Sequence, residues 1–274
     1  MLSRVTAIEF VRPLKSGRTR PSLLTCVSPP GDTIDVVAKF SAGCDQGVTS
    51  LAREVIAACL AGDLGLPIPE PFLIDFTSEW AALIADPERR ATISSSSPVA
   101  FGSRHITGQY AAWTSGNRVT SAMLPTAAAI FAFDAITGNP DRRPENPNCL
   151  VKGDQIRIID HEMSFTHALV IGGRPPWLPG GLRHLEKPGS HIFREQLRRR
   201  PLDLEPVRHA WAALSDDRIA AYGESLPVEW AAAAGAAGEA LALILKARDK
   251  IDDCLTEMKR VLECRTPGPT ATRS

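Results

Sequence analysis

Alternation of apolar and polar positions marks the first forty residues. Val5 to Arg12, Ser22 to Val27 and Ile34 to Phe40 keep the period of two that turns successive side chains to opposite faces, so three strands are expected. Pro29-Pro30-Gly31-Asp32 supplies a turn between the last two, and a hairpin is the simple arrangement. The period then changes. From Thr49 to Leu64 the apolar residues Leu51, Val55, Ile56, Cys59 and Leu60 recur at helical spacing, with Thr49 or Ser50 to cap the start and Gly65, Pro67 and Pro69 to end it. A short helix from Ser78 to Ala85 runs into Pro87. Ser94-Ser95-Ser96-Ser97-Pro98 has no apolar anchor and reads as a mobile loop, and Val99 to Ile106 reads as another strand.

The second half is mainly helical. Thr126 to Ile136 is apolar almost all round, so this helix belongs at the centre of its unit, and Gly138 with Pro140 stops it. A polar loop leads to a hairpin of Asn148 to Lys152 and Gln155 to Asp160 around Gly153-Asp154. Residues 161 to 190 are rich in Gly and Pro, helices continue to about Glu263, and the Pro/Thr/Gly-rich residues 265–274 form a frayed tail. Trp177, Trp211 and Trp230 are expected as core anchors. The whole pattern is α+β: a small β-rich unit with one helix, residues 1–105, followed by a larger helical unit, residues 106–264.

Composition removes several function classes. The 274 residues carry 31 basic and 31 acidic side chains with 44% hydrophobic residues, which excludes a disordered chain and gives no overall field to attract nucleic acid or an anionic membrane. Arg4 and Glu9 interrupt the N-terminus before any signal-peptide run can form. The apolar stretch Ala231 to Leu245 contains Glu239 and falls short of the roughly twenty residues a membrane span needs, so it reads as a buried helix and no membrane insertion is expected. Six cysteines without a C-x-x-C pair are expected as reduced thiols in a cytoplasmic protein. Arg194, Arg198, Arg199 and Arg200 read as one solvated helix end.

Only seven of the basic residues are lysine, and one of them, Lys39, sits in an apolar strand. The alternation places Val37 and Lys39 on the face opposite Val36, Ala38 and Phe40, which suits either an edge-strand lysine that discourages aggregation or an ammonium set over a cleft, and the next helix favours the second. On the following helix Glu54 lies at the border of the apolar stripe, where a carboxylate needs a cationic partner, and Lys39 is the candidate. Asp141 and, five residues later, Asn146 sit on a loop stiffened by Pro140, Pro144 and Pro147. Ile156-Arg157-Ile158-Ile159-Asp160 then ends in an aspartate held at a strand terminus, suited to binding a divalent metal with a nearby amide oxygen. His161-Glu162-Met163-Ser164-Phe165 lacks the second histidine of a zinc-protease helix, so Glu162 reads as a loop acid.

Val36-Val37-Ala38-Lys39-Phe40, Leu51-Ala52-Arg53-Glu54, Thr137-Gly138-Asn139-Pro140-Asp141-Arg142-Arg143-Pro144-Glu145-Asn146 and Ile158-Ile159-Asp160-His161 together resemble the HipA-like serine/threonine kinases. The resemblance spans about Gly17 to Trp211. It implies a two-lobed protein-kinase-like fold and an ATP- and Mg²⁺-dependent transfer of the γ-phosphoryl group to a hydroxyl, most naturally Ser or Thr of a protein substrate. A toxin–antitoxin setting with an antitoxin partner is also implied. By the same resemblance Lys39 holds ATP phosphates, Glu54 orients Lys39, Asp141 receives or positions the acceptor hydroxyl, and Asn146 and Asp160 hold Mg²⁺. Val37 would lie against the adenine, Gly17 and Arg18 would form the phosphate loop, and Val99 to Gly102 would connect the lobes. The chain departs from ordinary protein kinases in lacking G-x-G-x-x-G and in placing His161-Glu162 after the metal aspartate. Two other readings therefore stand beside the first: a nucleotide-binding pseudokinase or regulatory module without turnover, and a kinase of a lipid or small molecule.

Overall fold

The structure is a computed structural model, and it describes residues 2–14, 17, 19–29, 31–166 and 173–263. Arg18 and the tail 265–274 lie outside the described residues.

Five strands close into a barrel: β1 (Ser3–Pro13), β2 (Ser22–Val27), β3 (Thr33–Lys39), β4 (Pro71–Asp75) and β5 (Val99–Arg104), in the order β1-β2-β3-β5-β4. The expected β2–β3 hairpin is present, with Ser22 opposite Ala38 and Val27 opposite Thr33. The closure was not expected from the sequence. Ser3 to Thr6 of β1 pair in parallel with Phe72 to Asp75 of β4, so the edge strands cover each other. Leu24, Val36, Ala38, Phe72 and Ile74 fill the interior. Gly102 of β5 leaves no room for a side chain, because a Cβ there would come within 2.5 Å of Val36 Cγ1 and 2.6 Å of Ile74 Cδ1.

Three helices accompany the barrel, where a long one and a short one from Ser78 to Ala85 were expected. α1 (Val48–Asp63) is followed by α2 (Ser78–Ala82) and α3 (Pro87–Ser94). The two short helices have little apolar periodicity and are made by their caps; α2 falls within the helix expected from Ser78, and α3 was not expected. Thr77 accepts from the Trp80 N–H, and Asp86 accepts from the Glu88 and Arg89 N–H groups with Pro87 in the first turn. Ser94 therefore ends a helix, and the serines after it are tied down: Ser96 Oγ accepts from the Ala42 N–H and Ser41 Oγ from the Ser97 N–H. At the start of α1, neither Thr49 nor Ser50 caps; Gly47 occupies that position with no side-chain bond. The end is as expected. Gly65 adopts φ 70°, its N–H bonds to the Gly62 carbonyl, and the Leu66 N–H bonds to that of Ala61, which is a Schellman ending.

α4 (Leu124–Thr137) carries Ile130, Phe131, Phe133 and Ile136 into the largest core and stops at left-handed Gly138. A small sheet follows, in the order β6-β7-β8, from β6 (Ala111–Ala112), β7 (Cys149–Lys152) and β8 (Gln155–Ile158). After a segment of turns come α5 (Arg194–Leu197), α6 (Glu205–Ala212), α7 (Asp216–Glu224), α8 (Ala234–Asp249) and α9 (Ile251–Glu263). Arg194 is fully buried, so the arginine cluster is not simply a solvated helix end. The 3-10 turn Val228–Ala233 continues into α8, and this 22-residue helical run is long and apolar enough to cross a membrane, contrary to the shorter stretch expected. Its apolarity is mostly alanine, and it presents Ala237, Ala240, Ile244 and Ala247 to the core while its other side is exposed. Trp211 and Trp230 are core residues as expected, and Trp177 packs against the core half-buried.

α1 links the barrel to the helical part. Leu51 and Val55 share a cluster with Leu73 of β4, Phe101 of β5 and Trp230, whose indole N–H reaches the Val99 carbonyl at 3.1 Å. This helix also packs on α7 and α8. Val99 to Gly102 are thus not a connection between units: they pair with β4 over Val99 to Ser103, and Phe101 and Gly102 also pair with β3.

Candidate active site

Strand β3 delivers Lys39 as its alternation dictates. Val36 and Ala38 point into the barrel, whereas Val37 and Lys39 line a cavity of about 480 Å³. Helix α1 brings Glu54, 2% exposed, to meet it, and Lys39 Nζ donates to Glu54 Oε2 at 2.8 Å. The ion pair expected from sequence is therefore formed. Two further carboxylates share the ammonium: Asp160 Oδ1 at 2.7 Å and Glu162 Oε2 at 3.3 Å. Burial alone would lower the Lys39 pKa, but Glu54, Asp160 and Glu162 outweigh it and raise it well above its ordinary value. Burial pushes the Glu162 carboxyl up to about 7 against the pull of Lys39, whereas for Asp160 the lysine prevails and the pKa is lowered. Glu162, in a turn as its reading as a loop acid expected, thus also belongs to this cluster.

The loop after α4 is built from beneath. Asp134, the one acid in this apolar helix, is 2% exposed and accepts four hydrogen bonds: from Arg142 Nε at 2.5 Å and Nη2 at 3.2 Å, from Asn139 Nδ2 at 2.9 Å, and from His191 Nε2 at 3.0 Å. Burial would raise its pKa, and Arg142 and His191 instead hold it well below the usual carboxylate range. Arg142, wholly buried, also donates to the carbonyls of Asn148 at 2.5 Å and Ile159 at 3.3 Å, and its Nη2 stands 3.3 Å from His161 Nδ1. Those carbonyls flank strained backbone: Asn148 has φ 42° and Asp160 φ 61°, conformations that disfavour a side chain by about 1–2 kcal/mol each. One guanidinium therefore ties the Asp141 loop to the Asp160 strand end.

Above that support, Asp141 Oδ2 accepts from Asn146 Nδ2 at 2.7 Å and Asn148 Nδ2 at 3.1 Å, and the Asp141 N–H is held by Asn139 Oδ1. Asp141 Oδ1 lies 3.7 Å from Arg143 Nη2, and the side chain is about a quarter exposed. Asn146 and Asp160 line the same cavity as Lys39, as do Gly17 and Val37. Gly17 has φ 109°, and a Cβ there would press to 2.9 Å on Pro21. Just beyond β5, His105 and Ile106 also line this cavity, with Cys149 and Leu150, while of Val99 to Gly102 only Phe101 does. Sequence reasoning missed Asp134, Arg142, His191, Asn148 and Glu162. A lone acid inside an apolar helix was the signal for the first.

The arrangement has a pH consequence. His161, 2% exposed and stacked edge-on to Phe133, has its pKa pushed down by burial to about 3, and His191 is also lowered. Below about pH 6 the unfolded chain binds protons on these residues that the fold refuses, so stability is expected to fall on acidification, by about 1.4 kcal/mol per pH unit for each such histidine. Urea unfolding at pH 7 and pH 5 measures this, and His161→Gln should flatten the dependence; an unchanged slope would contradict it.

Four features converge on one concave site: a lysine clamped by a helix glutamate, an aspartate at a strand end, a second aspartate tied to an asparagine, and a cavity of nucleotide size. One solved kinase structure shares the fold. The chain is similar to the Helicobacter pylori proinflammatory kinase CtkA at 11% identity and TM-score 0.52, over 97% of this chain and 100% of that one, a likeness of fold. A Golgi casein kinase solved with Mn/ADP bound aligns over 94% of this chain and 74% of that one, at 9% identity and TM-score 0.40, too distant in shape to inform the site. No curated protein matches. The family model described as HipA-like kinase matches residues 7–259, and the chain belongs to that family.

Proposed function

We propose that this kinase is two-lobed, with lobes of residues 1–105 and 106–264, and that it transfers the γ-phosphoryl group of ATP to a Ser or Thr hydroxyl of a protein. The observation that carries the reading is the convergence of Lys39, Asp160 and Asn146 on one cavity, with Asp141 bonded to Asn146 at its rim. Val37 and Ile106 offer apolar walls for a purine, and Lys39, supported by Glu54, offers its ammonium to phosphate oxygens. Gly17 would let the β1–β2 connection approach the phosphates without a side chain, and Arg18 follows it in the sequence. Asp141 Oδ2 is occupied by two amides, leaving Oδ1 to orient the acceptor hydroxyl and take its proton.

The donor set suits a hard divalent cation such as Mg²⁺. Asp160 offers carboxylate oxygens, and Asn146 spends its amide nitrogen on Asp141, which leaves its amide oxygen available. A bound cation would supply positive charge against the transferring phosphoryl group; the chain's own contribution is to hold acceptor, lysine and carboxylates in fixed relation.

Incubating the purified chain with γ-labelled ATP, Mg²⁺ and a cell lysate should label protein, and acid hydrolysis should release phosphoserine or phosphothreonine. Asp141→Asn should lower the rate about 10²- to 10⁴-fold. Equal labelling by both proteins would remove Asp141 from the chemistry, and label appearing only in lipid or small molecules would overturn the acceptor class.

A further inference from the structure

Glu162 meets Lys39 from a different side than the nucleotide would. Lys39, Glu54 and Asp160 line the large cavity, whereas Glu162 opens onto a separate cavity of about 250 Å³ with Arg53, Met163 and Thr166. An ammonium has three N–H donors, and three carboxylates stand within reach of this one: Asp160 at 2.7 Å, Glu54 at 2.8 Å and Glu162 at 3.3 Å. A phosphate oxygen gains Lys39 only if one of them lets go. Glu54 is fixed, because its other oxygen holds the His161 N–H at 2.9 Å. Asp160 faces the nucleotide cavity and is the carboxylate a cation would draw away. Glu162 has no such backbone tie and does not line the nucleotide cavity; it is 9% exposed and makes the longest of the three contacts, although its carboxylate lies within 4.8 Å of those of Glu54 and Asp160, close enough to share a cation with them.

Resting on the kinase reading, we propose that Glu162 is a positioning residue that holds Lys39 back while the cavity is empty and competes with nucleotide phosphate for it. Removing its charge should therefore tighten nucleotide binding, the opposite sign to removal of Glu54. The site then carries one lysine against two carboxylates in place of three, and the ammonium is freer to turn toward the phosphates.

The test is ADP binding by calorimetry with Mg²⁺, on the full chain at about pH 8, comparing wild type, Glu162→Gln and Glu54→Gln. Glu162→Gln should lower the Kd about fivefold or more, with no greater need for Mg²⁺. Glu54→Gln should raise the Kd. Weaker binding or a raised Mg²⁺ requirement in Glu162→Gln would make Glu162 a cation ligand, and an unchanged Kd would make it a bystander; either overturns the proposal. A second measurement needs no nucleotide. In urea unfolding, Glu162→Gln should shift the midpoint differently in wild type and in Lys39→Met, and additive shifts would overturn the contact on which the proposal depends. Failure of wild type to bind ADP would count against the kinase reading, with the unfolding cycle still deciding whether Glu162 acts on Lys39.

Discussion

Lys39→Met is expected to abolish phosphoryl transfer and, at pH 8, to destabilise the fold by about 3–5 kcal/mol. Methionine matches the length of the lysine stem but leaves Glu54, Asp160 and Glu162 facing one another without a cation, and a buried charge stripped of its partner carries a penalty of about that size. The pH dependence identifies the cause. Without the ammonium all three carboxyls have pKa values above those of the unfolded chain, so the folded variant binds protons that the unfolded one releases. Its stability is then lost as pH rises, and the deficit against wild type should shrink between pH 8 and pH 5.5 in urea unfolding. A variant as stable as wild type at pH 8 would mean that solvent, and not Lys39, compensates these acids.

Arg142→Met should be nearly as damaging, at about 3–5 kcal/mol, and for a different reason. It removes the main counter-charge of Asp134 and the donors to the Asn148 and Ile159 carbonyls. The strained backbone at Asn148 and Asp160 then loses what holds it, so the residual folded protein should also bind Mg²⁺–ADP poorly. Asp134→Asn in the same chain should restore part of the stability by removing the orphaned charge, without restoring nucleotide binding. Full recovery of both would show that the guanidinium serves only to neutralise Asp134.

The residues lining the candidate site were more legible than those that support it. Lys39, Glu54 and Val37 follow from the periods of one strand and one helix, and both periods survive in the structure because the barrel and the helical core bury those same faces. Asp141, Asn146 and Asp160 were legible through a local motif. The buried network was not, because Asp134 and His191 are 57 residues apart and neither sits in a recognisable pattern. Barrel closure was hidden similarly: β1 and β4 pair in parallel across about seventy residues, which leaves no turn to read. The short helices α2 and α3 depend on single capping side chains, a weaker signal than periodicity.

Helix α1 has a consequence for control. It supplies Glu54, yet Leu51 and Val55 on the same helix are fully buried against the barrel and Trp230, and its other side lies on α7 and α8. Swinging the helix far enough to part Glu54 from Lys39 would expose both residues, at about 1.5–3 kcal/mol for each, before counting the stranded ion pair. An idle conformation of that kind would be populated below the per cent level. The burial of Leu51 and Val55 thus keeps Glu54 against Lys39 whether or not the cleft is filled.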